Sequence, residues 1–129
     1  MKKYILLGVT VLLLLFESIA QEQKGNSFAG KTFRIDNYIG DKFDNAEDLI
    51  FTATEVEGSI CVQHGFKKAT YTTKTNAKGL QEFSCTMLSK EHGKMVWKGE
   101  KNGNSIAGNY VWTKEGQDAI HYTFKGKIK

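Results

Sequence analysis

The chain contains no proline, only two cysteines and a single arginine among its 129 residues. Proline is the commonest breaker of a strand ladder, so its absence favours long uninterrupted strands. Two cysteines are too few for a disulfide-dense scaffold, so stability must come from an apolar core. The charges are nearly balanced and interspersed. No basic cluster is interleaved with exposed aromatics, which argues against nucleic acid as a partner. The longest apolar run, Ile5 to Phe16, is broken only by Gly8 and Thr10. It covers about twelve residues, short of the roughly twenty that a bilayer demands.

What that run does fit is a removable secretory signal. Lys2 and Lys3 precede it, and Ser18-Ile19-Ala20 places small residues three and one positions before a cut at Gln21. No cysteine near the cut offers a site for lipid. The expectation is therefore a signal over residues 1–20 and one exported domain over 21–129, secreted or periplasmic and not membrane-spanning. Without Lys2, Lys3 and Glu17 the charge is 16 basic against 13 acidic residues, a mild +3. The 109 residues that remain suffice for a single core.

The period along this domain is two. Phe83, Cys85 and Met87 alternate with Ser84, Thr86 and Leu88. The same rhythm runs through Met95-Trp97-Gly99, Ile106-Gly108-Tyr110-Trp112 and Ile120-Tyr122-Phe124-Gly126-Ile128. Such alternation means strands with one buried and one wet face. Asn76-Ala77-Lys78-Gly79, Glu91-His92-Gly93, Asn102-Gly103 and Glu115-Gly116 supply the turns. Eight strands are predicted, near 28–36, 48–54, 56–64, 66–74, 79–89, 93–101, 104–113 and 118–128. Residues 37–47 are left as the longest loop, with a short helix between Phe43 and Asp48 as an option.

Eight consecutive strands with short turns predict an all-β, antiparallel up-and-down barrel, since closure removes open edges. A two-sheet β-sandwich is the alternative. Gly99, Gly108 and Gly126 fall on the apolar face inside strands, where glycine marks a bend or a close backbone approach.

The stretch Ser59-Ile60-Cys61-Val62-Gln63-His64-Gly65-Phe66 with Ala69-Thr70-Tyr71 resembles a pattern in an uncharacterised family of small secreted bacterial lipocalin-like barrels. Gly93 with Trp97-Lys98-Gly99, Ile106 through Trp112, and Tyr122 through Lys127 extend the resemblance over about residues 48–128. It implies a lipocalin-like barrel but no particular activity. The pattern has a cysteine at the position of Cys61, whereas Cys85 lies outside it.

Cys61 and Cys85 in an exported domain read either as one disulfide or as two buried thiols. One predicted strand separates them, which means about 9–10 Å at a spacing of roughly 4.8 Å. A bridge needs Cα atoms within about 7 Å. No histidine stands beside either thiol in sequence, so nucleophilic catalysis has no support. His64, His92 and His121 share no metal-ligand spacing; His64 ends a predicted strand and reads first as a plain hydrogen-bonded histidine, with a place at a barrel mouth as the alternative, and His92 falls in a solvated turn. Asp41, Asp44, Glu47 and Asp48 form an acidic stretch whose spacing departs from a calcium loop. No enzyme and no cofactor are expected.

The inward face is rich in aromatics: Phe33, Phe83, Trp97, Tyr110, Trp112, Tyr122 and Phe124, joined by Tyr71 if Ala69 points inward. They either fill an eight-stranded interior or leave a cup with phenol and indole groups as polar handles. Gly99, Gly108 and Ala119 are the small residues that would leave room. The resemblance to lipocalin-like barrels, in which an arginine can pack on a tryptophan at the closed end, implies that Arg34 stacks on Trp97 or Trp112 by a cation–π contact. The expected site is Arg34, Tyr71, Trp97, Tyr110, Trp112 and Tyr122, holding a small apolar or aromatic ligand in a monomeric barrel. The alternative is a non-catalytic interaction or inhibitor module of the cell envelope that uses its loops or outer face.

Overall fold

The computed structural model describes residues 26–129. The expected signal at 1–20 and the first residues after it lie outside the described residues. The fold is a closed barrel of eight antiparallel strands in simple chain order, so the sandwich alternative is excluded. The strands are β1 (Thr32–Ile39), β2 (Lys42–Phe51), β3 (Glu55–Gly58), β4 (Ala69–Thr75), β5 (Gln81–Ser89), β6 (Gly93–Asn102), β7 (Ser105–Thr113) and β8 (Ile120–Ile128). One short helix, α1 (Ser59–Gln63), follows β3. Strand β1 pairs with both β2 and β8, which closes the sheet. No helix among the described residues is long and apolar enough to cross a membrane.

Strands β5 to β8 follow the expected alternation within one or two residues at each end. Phe83, Cys85 and Met87 of β5 are buried, while Ser84, Thr86 and Leu88 face water. Two expectations fail nearer the N-terminus. Residues 37–47 are no loop: β1 and β2 form a long hairpin that turns only at Gly40-Asp41, and the optional helix at 43–48 is strand. The period breaks there for a physical reason. A register shift lies between Asn37 and Tyr38, and the inward residues Asn37 and Glu47 are polar. An apolar-in, polar-out pattern therefore vanishes where the strands continue.

The predicted strand 56–64 also divides. Strand β3 is only four residues long, and from Ser59 the chain turns helical. Strand β3 pairs through three residues with β2 and two with β4, making this the thinnest seam of the barrel.

The two ends of the barrel differ. One end is filled. Phe28, in the turn before β1, is completely buried and packs against Phe33, Phe51, Tyr71 and Phe83 with centroids 5.1–6.5 Å away. Tyr71 Oη donates to Thr52 O at 2.7 Å, which fixes the β2–β3 turn across that end. Gly99 leaves no room here, because an added Cβ would sit 2.8 Å from both the Phe83 and Phe124 rings. At Gly108 a Cβ would overlap Lys98 O, so glycine permits the close approach of β6 and β7. Ala119 is exposed and contributes nothing to the interior.

Candidate functional site

At the opposite end the barrel stays open. A cavity of about 360 Å³ is lined by β2, α1, the β5–β6 turn and the ends of β6, β7 and β8. One wall is aromatic. Trp97, Tyr110 and Tyr122 are cross-strand neighbours on β6, β7 and β8. Trp97 stacks on Tyr110 at 3.8 Å between centroids, and Tyr110 on Tyr122 at 4.6 Å. The stack runs from the core, where Trp97 is fully buried, to the cavity wall, which Tyr110 and Tyr122 line with Trp112. Trp112 Nε1 donates to His92 O, which joins the end of β7 to the β5–β6 turn.

The other wall is polar and centres on Glu47, only 2% exposed. Leu49 and Phe51 point into the barrel, and two residues earlier the pleat delivers Glu47 to the same face. Its Oε2 accepts from Asn37 Nδ2 at 2.7 Å. Its Oε1 accepts from the backbone N–H of Ile60 at 3.1 Å and of Cys61 at 3.4 Å. Helix α1 has no side-chain cap of its own. The Glu47 carboxylate supplies the acceptor for its first turn instead. Gly58 makes this approach feasible, since a Cβ there would lie 2.5 Å from Glu47 Oε1. Asp48 N–H donates to Ser59 Oγ at 2.9 Å, a second tie between β2 and the start of α1.

Asp44 and Asn45 extend this polar wall toward the rim, and Asn45 Nδ2 donates to Asp44 Oδ2 at 2.8 Å. His64 and His92 meet edge to face at the mouth, 5.9 Å between centroids. Among the described residues no lysine or arginine lines the cavity.

The electrostatics follow from this lining. Burial raises the Tyr110 hydroxyl well above the usual phenol range, and the nearby Glu47 charge adds to the effect. Tyr122 is raised by burial and then by Asp44 and Cys61. Cys61 is raised by burial and then by Glu47. Both phenols are therefore neutral donors at the cavity.

Of the six residues expected at a ligand site, the structure brings three together: Tyr110, Trp112 and Tyr122. Trp97 stands behind Tyr110 and does not line the cavity. Tyr71 belongs to the filled end. Arg34 stacks on no tryptophan. It points outward, because it alternates with the buried Phe33 and Ile35, and pairs with Asp48 at 3.3 Å. The cysteines are both buried and both free, so the disulfide reading is not realised. Cys61 lines the cavity with Sγ 3.7 Å from Met95 Sδ, while Cys85 faces Tyr71 and Trp97 across strands β4 and β6.

His64 lines the cavity, the alternative and not the first reading of that histidine, and Asp44, Glu47 and His92 line it without having been expected there. For Glu47 a signal existed: stepping back by two from Phe51 and Leu49 reaches it. The acidic stretch is not a calcium loop but part of the β1–β2 hairpin, whose residues point to opposite faces. No group of three or more potential metal ligands occurs among the described residues.

Comparison with family models, with curated proteins and with solved structures gives no match.

Proposed function

We propose that this is an exported, lipocalin-like binding protein that holds one small molecule in the open end of its barrel. The observation that carries this reading is the asymmetry of the interior. One end is packed solid with phenylalanines around Phe28, whereas the other keeps about 360 Å³ between an aromatic and a polar wall. That volume falls in the range of roughly 300–1,000 Å³ typical of small-molecule sites, and mixed lining of this kind gives both burial and orientation. Export rests on the N-terminal pattern of Lys2-Lys3, the apolar run to Phe16 and the small residues before Gln21.

The test is a thermal screen of small aromatic and apolar compounds against the native protein and a cavity-filled variant, Met95→Trp. Ligands that bind only the native state raise Tm by mass action. Compounds that raise the native Tm and leave Met95→Trp unmoved are expected. Equal shifts in both proteins, or no shift with any compound, contradict the proposal.

A further inference from the structure

The cavity's charge has the opposite sign to that of the chain. The protein carries a formal net charge of +4, yet the fixed charges lining the cavity are Asp44 and Glu47, with no lysine or arginine among them. Only His64 and His92 can carry positive charge there, and both stand at the mouth. Asp48, the next acidic residue along β2, faces outward and is neutralised by Arg34 and Lys129. Inside the cavity no such partner exists among the described residues.

The hydrogen-bond inventory points the same way. A carboxylate has about four acceptor positions, and Glu47 uses three, on Asn37, Ile60 and Cys61. Both N–H donors of the Asn37 amide are used, on Asn45 and Glu47, and one of the two on Asn45 is used by Asp44. Asn37 Oδ1, fully buried beside Glu47 but behind the cavity lining, has no donor among the described residues. Glu47 keeps one acceptor position and Asp44 stands open at the rim, while the neutral donors at the cavity are the Tyr110 and Tyr122 hydroxyls on the opposite wall. A ligand that brings N–H groups and positive charge complements the polar wall; a carboxylate or phosphate does not. The opposite wall of Tyr110, Trp112 and Tyr122 packs against an apolar body; Tyr110, stacked between Trp97 and Tyr122, presents its edge and hydroxyl and no free face.

We infer that the cavity takes a small organic cation, a protonated amine on an aromatic or apolar body, with its ammonium group at Glu47 and Asp44. This rests on the reading of the cavity as a ligand site and adds the chemical class of the ligand. Glu47 is the anchor because it is buried and fixed by three hydrogen bonds, so its charge is little screened. Asp44, exposed at the rim, acts on entry more than on final affinity.

Calorimetric titration with three indoles of one shape and different charge tests it. The probes are tryptamine, its neutral counterpart tryptophol and the anion indole-3-propionate, at neutral pH and low salt. Tryptamine is expected to bind about tenfold or more tighter than tryptophol, with indole-3-propionate weakest. Glu47→Gln brings tryptamine to within about threefold of tryptophol, the share left to Asp44, and leaves tryptophol unchanged. Asp44→Asn, which leaves the α1 contacts intact, weakens tryptamine by about threefold through the loss of one exposed charge. Should Glu47→Gln fail to fold, Asp44→Asn and the three-probe order still decide. Tryptophol binding as tightly as tryptamine, or the anion binding best, overturns the assignment while the cavity still binds. Absence of binding by all three also overturns it, and the Tm screen then decides separately whether the cavity is a ligand site.

Discussion

Glu47 Oε1 lies 3.1 Å from the backbone nitrogen of Ile60, so a carboxylate on β2 holds the first turn of α1 across the barrel's thinnest seam. The same side chain lines the cavity. Fold and site therefore share a residue. Replacing Glu47 with alanine leaves the Ile60 and Cys61 N–H groups without an acceptor in a buried setting. The expected cost is about 2–4 kcal/mol, read from urea denaturation. Native-like stability of Glu47→Ala would show that α1 does not depend on this contact.

Gly58 is expected to resist substitution although its φ of −103° is open to any residue. The obstacle is space: a Cβ meets Glu47 Oε1 at 2.5 Å and Cys61 Sγ at 3.0 Å. Gly58→Ala should cost about 1–3 kcal/mol as the carboxylate is pushed from α1. The same substitution in Glu47→Ala should cost less, because the clashing oxygen is gone. Equal costs in the two backgrounds would sink this explanation.

Phe28 closes the filled end from outside the strands. Phe28→Ala removes a completely buried ring from contact with four other aromatics and should cost about 3–5 kcal/mol. Because the cavity proposed to hold the ligand lies at the other end, tryptamine affinity at a temperature where the variant is folded should be unchanged. A large loss of affinity there would place the site at the wrong end of the barrel.

The thiols give a pH dependence. Burial pushes Cys85 up from 9.0 to about 12, so the folded state keeps its proton where the unfolded chain has lost it. A raised folded value means stability that is intact below pH 9.0 and declines as pH rises toward about 12. Cys61, Tyr110 and Tyr122 are raised as well and act in the same direction. Urea midpoints should be flat near neutrality and fall steadily above pH 9, and iodoacetamide at pH 8 should leave both thiols unmodified until urea is added. Rapid alkylation of the native protein, or a midpoint that rises with alkaline pH, is the contrary result.

How far the sequence could be read depended on where polar residues point. Strands β5 to β8 announce themselves, since Phe83, Trp97, Tyr110 and Phe124 each sit in an alternating run. The aromatic wall of the cavity was legible for the same reason. The polar wall was hidden. Asn37 and Glu47 occupy inward positions that the pattern reserves for apolar residues, and the register shift beside Asn37 breaks the count. A segment rich in asparagine and acids reads as a loop, although its backbone continues as strand. Local rules are most often broken at sites that do something else besides fold. Arg34 failed differently. Its neighbours Phe33 and Ile35 are inward, so period two already directs it outward to Asp48.

The two tryptophans offer the most direct measurement of the central claim, that the ligand sits in the open end of the barrel. Trp112 lines the cavity with its Nε1–H on His92 O, whereas Trp97 is buried behind Tyr110. In ¹H–¹⁵N spectra recorded during titration with tryptamine, the Trp112 indole resonance should shift saturably and in step with the backbone signals of His64 and His92. Trp97 should move less, and the backbone signals around Phe28 should stay in place. Shifts confined to the outer face, or an unmoved Trp112 indole at saturating tryptamine, would contradict the account.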